Sequence, residues 1–257
     1  MSGRLAAIWR YPVKGLRGEL LEQAHLAAGE GVPGDRRYAL ALNDGPFDPA
    51  APAWFKKKAF AQQRENPRLI LLETRFDEAA SMVGLSKDGA LLAAARLDDA
   101  DGRAELDTFL NGYLAKDEDF RGLRTVCAEG VMFTDNQTKY VSIINRASLR
   151  DLSARAGQDL EEIRFRANLM IDDLPAWSER EWIDREITIG GARFLVVDQV
   201  GRCINTHVNP GTALHDVNVL KTLHTEYGHT DCGVFAVVVG EGEVKVGDGI
   251  VVGDKQT

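Results

Sequence analysis

The chain has 257 residues, of which 44% are hydrophobic and 27% charged, with 25 Gly against 8 Pro. That is the make-up of a folded protein, not of a disordered or collagen-like one. Its formal charge of −8 argues against sequence-independent nucleic-acid binding. No apolar run approaches the roughly 18 residues of a membrane helix; Val234 to Val239, near the C-terminus, is far shorter. Met1-Ser2-Gly3-Arg4-Leu5 lacks an apolar signal core, so the expectation is a soluble, cytoplasmic protein without a membrane or nucleic-acid partner. At roughly 150 residues per domain the length allows one large domain or two modest ones.

Short β-type runs punctuated by turns fill the first half. Leu5 to Tyr11 is stopped by Pro12, Tyr38 to Leu42 runs into Asn43-Asp44-Gly45-Pro46, and Arg68 to Arg75 reads as a further apolar strand. Ala50 to Gln63, with Lys56-Lys57-Lys58 beside Trp54 and Phe55, reads as a solvated loop with one anchored aromatic side. Ser86-Lys87-Asp88-Gly89 is a hairpin turn. Leu106, Phe109, Leu110 and Tyr113 fall at helical spacing and predict a helix from Arg103 to Leu114. A boundary near residue 120 then divides the chain into domains 1–120 and 121–257.

Beyond it, Tyr140 to Ile144 is strand-like, and Asn145 can cap a helix carrying Leu149, Leu152 and Ala156, stopped by Gly157. Arg164 to Ile171 and Glu186 to Ile189 read as strands, and Gly190-Gly191 turns into Ala192 to Val200. Leu220, Leu223 and Tyr227 mark a short helix ended by Gly228, and Val234 to Val239 and Ile250 to Val252 close the chain as β-structure. The fold class expected is mainly β with a few short helices (α+β), with strands arranged as a barrel because closure removes exposed edges.

In an acidic chain, cations held in turn-rich motifs carry the information. Four places stand out: Lys14 in Tyr11-Pro12-Val13-Lys14-Gly15, Arg36 in Gly34-Asp35-Arg36-Arg37, the alternating Arg164, Arg166 and Asn168, and Gly201-Arg202-Cys203 leading to Thr206-His207. Alternation would set Arg164 and Arg166 on one strand face, either in ordinary salt bridges with Glu161 and Glu162 or as a clamp for phosphate or carboxylate. Taken together, the four places point to an anion site. Among Cys127, Cys203 and Cys232, an odd number that argues for a reducing compartment, Cys203 stands at a strand-to-loop edge beside Arg202. A neighbouring cation favours the thiolate, a nucleophile or soft metal ligand. Cys127 and Cys232 read as packing residues. Zinc on Cys203, His207, His224, His229 and Cys232 has only loose spacing behind it. No Gly-x-Ser-x-Gly elbow, Gly-x-Gly-x-x-Gly loop or Walker loop occurs.

Arg202-Cys203, Thr206, Val208-Asn209-Pro210, Gly228-His229-Thr230-Asp231 and Val246-Gly247-Asp248 resemble the MOSC domain. Tyr11-Pro12-Val13-Lys14, Gly34-Asp35-Arg36 and Asn66-Pro67-Arg68-Leu69 resemble the β-barrel domain that precedes it in a subset including the mitochondrial amidoxime-reducing component and bacterial N-hydroxylated-base reductases. The resemblance implies a smaller N-terminal β-barrel-like domain before a MOSC barrel. It implies a molybdenum cofactor (molybdopterin) whose metal is held by Cys203, the residue also expected to be catalytic. Lys14, Arg36, Arg166 and Asn168 match positions that line the pterin and its phosphate in relatives; Thr138, Asn145, Arg146, Arg202 and Thr206 lie in cofactor-facing segments. Pyridoxal phosphate is a second association at the level of the family alone. The reaction implied is reduction of small N-hydroxylated substrates with electrons from a separate flavin or iron–sulfur reductase, with no C-terminal iron–sulfur domain expected here. A sulfur or cofactor carrier using Cys203, and an anion-sensing module without metal, are the competing readings. Ala167, Gly15 and His207 depart from the pattern of the mitochondrial type (Pro, Ser and a second Thr, respectively), and His207 is expected to alter the substrate side.

Overall fold

The computed structural model describes residues 3–255. The architecture is mainly β with three α-helices. The N-terminal segment supplies β1 (Arg4–Arg10), β2 (Val13–Lys14), β3 (Glu19–Leu21), β4 (Gln23–Leu26) and β5 (Tyr38–Leu42). A meander of β6 (Glu73–Asp77), β7 (Met82–Lys87) and β8 (Ala90–Arg96) leads to α1 (Ala100–Leu114) and β9 (Leu123–Cys127). Then follow β10 (Val141–Asn145), α2 (Arg146–Ala156), β11 (Leu169–Asp172), β12 (Arg185–Ile189), β13 (Ala192–Gly201), α3 (Val219–Tyr227), β14 (Asp231–Gly240), β15 (Gly242–Lys245) and β16 (Ile250–Lys255).

The large sheet runs β16-β12-β13-β14-β10-β11-β1-β3, so two strands from the start of the chain complete a sheet built by its second half. Main-chain bonds from Leu5 N to Asp248 O (2.8 Å) and from Ile250 N to Gly3 O (2.9 Å) tie β1 to the turn before β16 and curl the sheet towards closure. Inward positions of these strands, among them Leu5, Ile143, Ile171, Phe194, Val234 and Ala236, form one core. A second core under β5, β6–β8 and α1 collects Leu40, Leu69, Val83, Leu85, Leu106 and Leu110. Sealing each such side chain from water contributes about 1.5–3 kcal/mol.

Local rules account for several ends. Asn145 Oδ1 accepts from Ala147 N (3.0 Å) to start α2, and Gly157 ends it in the left-handed region at φ 72°. Helix α1 begins three residues before the predicted Arg103, because Asp99 caps it by accepting from Gly102 N (2.7 Å). Two expectations fail. Pro67–Leu71 is a 3₁₀ turn opened by Pro67, and the strand starts only at Glu73. Arg164 to Asn168 is not strand either: Glu162–Arg164 is 3₁₀, Arg166 has φ 51°, and β11 starts at Leu169. The alternation of Arg164, Arg166 and Asn168 therefore makes no strand face. The Ala50–Gln63 loop is anchored as expected, by Trp54 Nε1 donating to Thr134 O (3.0 Å).

Candidate functional site

A cavity of about 340 Å³ opens where β13 ends, walled by Lys14, Arg36, Arg166, Asn168, Arg202, Cys203 and Thr206. Both halves of the chain build it. From the N-terminal half, the turn after β2 is tightened by Gly15, which has φ 104° and whose Cβ position lies 3.0 Å from Ala61 O. This buries Lys14 to 8% exposure; its Nζ donates to Asp135 Oδ1 (2.8 Å) and stands 5.3 Å over the Phe60 ring. Burial pushes the Lys14 ammonium down, with Asp135 opposing. Burial alone would raise Asp135, but Lys14, Lys57 and Arg36 hold it below the ordinary carboxylate value.

Arg36 and Arg166 are both in the left-handed region, at φ 48° and 51°. A residue with a side chain occupies that region at a cost of about 1–2 kcal/mol, so the surrounding contacts must hold both backbones there. Their guanidiniums share Tyr11, lying 4.7 and 4.4 Å from its ring centroid. Tyr11 is fully buried, and its hydroxyl donates to Ala167 O (3.2 Å). Arg36 pairs with Asp35 and donates from Nη2 to Arg166 O (3.0 Å). Arg166 donates from Nη1 to Leu16 O (2.7 Å). Burial, then the charge of Arg36, pushes the Arg166 guanidinium down to about 10.

Arg202 donates from Nε to Cys232 O (2.7 Å) and from Nη1 to Phe165 O (2.6 Å), and burial lowers it also. Neither Arg166 nor Arg202 has a carboxylate within ion-pair distance among the described residues. Arg164 is the contrast. It lies on the same wall, fully buried, but is neutralised by Glu161 and Asp216. The sequence alternation that set it beside Arg166 thus joins a structural ion pair to an uncompensated charge.

Cys203 is half-buried on the cavity wall. Its carbonyl accepts from Thr206 N (3.0 Å) and Thr206 Oγ1 (2.9 Å), which fixes the turn that presents the thiol. Cys232 is sealed behind, its thiol pushed up to about 12 by burial, and is inert. Asn168 reaches the cavity with its polar atoms committed: Oδ1 accepts from Ser142 N and Oγ (3.2 and 3.0 Å), and Nδ2 donates to Trp9 O (3.3 Å).

Three expected residues stand elsewhere. Thr138 is exposed and off the cavity wall. Asn145 is fully buried as the α2 cap, its Nδ2 donating to Pro175 O (2.8 Å). Arg146 faces a separate groove and pairs with Glu162. His207 is corrected too: its ring lies behind the wall, Nε2 accepting from Leu220 N (3.4 Å), with His215 beside it at 6.5 Å. The residues weighed for zinc do not assemble, and no group of three metal-ligating side chains occurs among the described residues. The sequence reading missed Tyr11 as a site residue, although it opens the Lys14 motif, and missed Lys57, Tyr140 and Phe235, which share the cavity.

Residues 130–251 match the MOSC domain, and residues 2–124 match the MOSC N-terminal beta barrel domain. The chain belongs to the MOSC family. Among curated relatives of this MOSC protein, mitochondrial amidoxime reducing component 2 of Bos taurus is 23% identical, over 83% of this chain and 69% of the relative. Mitochondrial amidoxime-reducing component 1 of Danio rerio is 35% identical over 92 residues, which are 35% of this chain and 27% of that protein. The solved YUAD protein from Bacillus subtilis is 13% identical with a TM-score of 0.48, covering 100% of this chain and 98% of its own. No helix among the described residues is long and apolar enough to cross a membrane.

Proposed function

We propose that this MOSC protein holds a molybdenum cofactor in the cavity and reduces N-hydroxylated substrates such as amidoximes, hydroxylamines and N-hydroxylated bases. The observation that carries the reading is a free thiol, Cys203, on the same wall as two guanidiniums satisfied only by carbonyl oxygens. A thiolate is a soft metal ligand, and planar guanidiniums suit a phosphate, so the residues present fit a phosphorylated pterin with a thiolate-held metal. The names of the curated relatives supply the reaction class.

In this reading Cys203 ligates the metal, and Lys14, Arg36, Arg166 and Arg202 bind the anionic part of the cofactor. Tyr11 orients Arg36 and Arg166. Asn168 holds Ser142 and Trp9 O, keeping the β10–β11 edge in register beneath the cavity. When bound, the cofactor would supply two-electron redox chemistry. Overall, an amidoxime takes up two electrons and two protons, its N–O bond breaks, and amidine and water leave. The electrons come from a separate flavin or iron–sulfur reductase. Three free thiols suit a reducing setting such as the cytoplasm.

The test uses protein purified from a host that makes the cofactor, measuring molybdenum per chain and amidoxime reduction with a chemical reductant. Wild type should carry molybdenum and turn over, and Cys203→Ser should lose the metal while remaining folded. Absence of molybdenum from wild type, also after reconstitution, would overturn the reading. Metal without turnover, with persulfide on Cys203, would favour a sulfur- or cofactor-carrier instead.

A further inference from the structure

Nine of the ten phenylalanines belong to one of the hydrophobic clusters; Phe235 does not, and neither does Tyr140. Strand β14 explains how Phe235 comes to lie outside. Val234, Ala236 and Val238 point into the core, so Phe235 between them points out. The register sets it opposite Ser142 on β10 and Asp198 on β13. Tyr140 is two residues before Ser142 and shares that face. The two rings stack with centroids 5.0 Å apart and planes 27° from parallel. Both are half-buried, and both line the cavity that contains Cys203. The Tyr140 hydroxyl has no hydrogen-bond partner among the described residues. Core packing therefore does not explain this pair. It offers an aromatic surface in a cavity whose other wall is cationic.

We propose that Tyr140 and Phe235 form a stacking ledge that makes the site selective for planar, conjugated N-hydroxylated substrates over aliphatic ones; the inference rests on the reaction class proposed above. An aromatic pair contributes about 0.5–1.5 kcal/mol beyond area burial, which is about a two- to twelvefold preference. The pterin ring, itself planar, is the rival occupant, and the test separates the two.

Binding is measured on oxidised holoprotein without any electron donor, so no turnover occurs, comparing benzamidoxime with acetamidoxime. Wild type should bind benzamidoxime about two- to twelvefold more tightly than the Tyr140→Leu/Phe235→Leu double variant does, while acetamidoxime affinity stays unchanged. Phe235→Tyr, which keeps the ring, should retain most of the preference. Molybdenum per chain is measured on the same samples and should not change. The ledge is overturned if both ligands weaken equally, if neither changes, or if the double variant loses molybdenum, which would assign the rings to the pterin. If the planar preference is present and ledge-dependent but no N-hydroxylated compound is reduced, the ledge stands and the reaction class falls.

Discussion

Replacing Arg166 with glycine separates the cost of the cationic site from its use. At φ 51° the arginine backbone is strained by about 1–2 kcal/mol. Burial lowers its guanidinium to about 10, which corresponds to about 3 kcal/mol of unfavourable charge, or about 2 once solvent in the open cavity screens it. Arg166→Gly removes both penalties, together about 3–4 kcal/mol. It forfeits the charged hydrogen bond to Leu16 O, about 1.5–3 kcal/mol, and the contact with Tyr11, about 1. It also adds about 0.5–1 kcal/mol of unfolded-state entropy. Gains and losses cancel to within about 2 kcal/mol.

For a domain of this size that keeps Tm within about 8 °C of wild type. Anion binding behaves differently. An anion at about a hundred times its Kd stabilises by about 2.7 kcal/mol, and that increment should largely vanish from the variant. Thermal melts of the cofactor-free protein with and without inorganic phosphate read both quantities. The reasoning is refuted if Arg166→Gly collapses the fold as a core deletion would, or if the phosphate-dependent rise in Tm survives in full.

Two pH predictions follow from carboxylates outside the cavity. Hydrogen bonding from Arg164 holds Asp216 down at about 2, below its ordinary 3.8. The pair therefore stabilises fully above pH 4 and loses that contribution as pH falls towards 2, about 1 kcal/mol after allowing for the partial exposure of Asp216. Urea midpoints between pH 2 and 5 should show this step in wild type and not in Asp216→Asn; parallel curves would sink the assignment. Glu179 is fully buried, with both oxygens accepting from the Ser148 hydroxyl (2.8 and 2.9 Å), and burial raises its carboxyl. Stability from this group is greatest below the ordinary glutamate value and declines as pH rises through the raised one. Glu179→Gln should melt higher than wild type at pH 8 and lose that advantage at pH 4.5; an equal gain at both would refute it.

Strands and turns were legible wherever a local rule governs them. Tyr38–Leu42 ends at a turn cluster, Asp88-Gly89 closes a hairpin with both residues at positive φ, and Asn145 and Gly157 bound α2 as their chemistry requires. The same Asn145 shows where reading along the chain stops helping. It neighbours cavity residues in sequence, yet its side chain is spent on the helix cap. Arg166 shows the converse. Its left-handed backbone is held by Leu16 O and Tyr11, more than a hundred residues away, so no local pattern announces it. Phe235 and Tyr140 carry apolar rings in a β-rich stretch, which reads as core; only the strand register reveals that they face out.

The cavity also shows how an acidic protein keeps a cationic site. Leaving aside Arg164, which Glu161 and Asp216 neutralise, Lys14, Arg36, Lys57, Arg166 and Arg202 face it against the paired carboxylates of Asp35 and Asp135, an excess of three positive charges. Repulsion among them would scatter flexible side chains unless something fixed each head group. Carboxylates would do so, as they do for Arg164, but would cancel the charge in doing it. The donors of Arg166 and Arg202 go instead to the carbonyls of Leu16, Phe165 and Cys232. A carbonyl dipole orients a guanidinium and satisfies its N–H groups without neutralising it. The electrostatic cost is left uncompensated within the chain, which is the condition under which an anion binding there gains most.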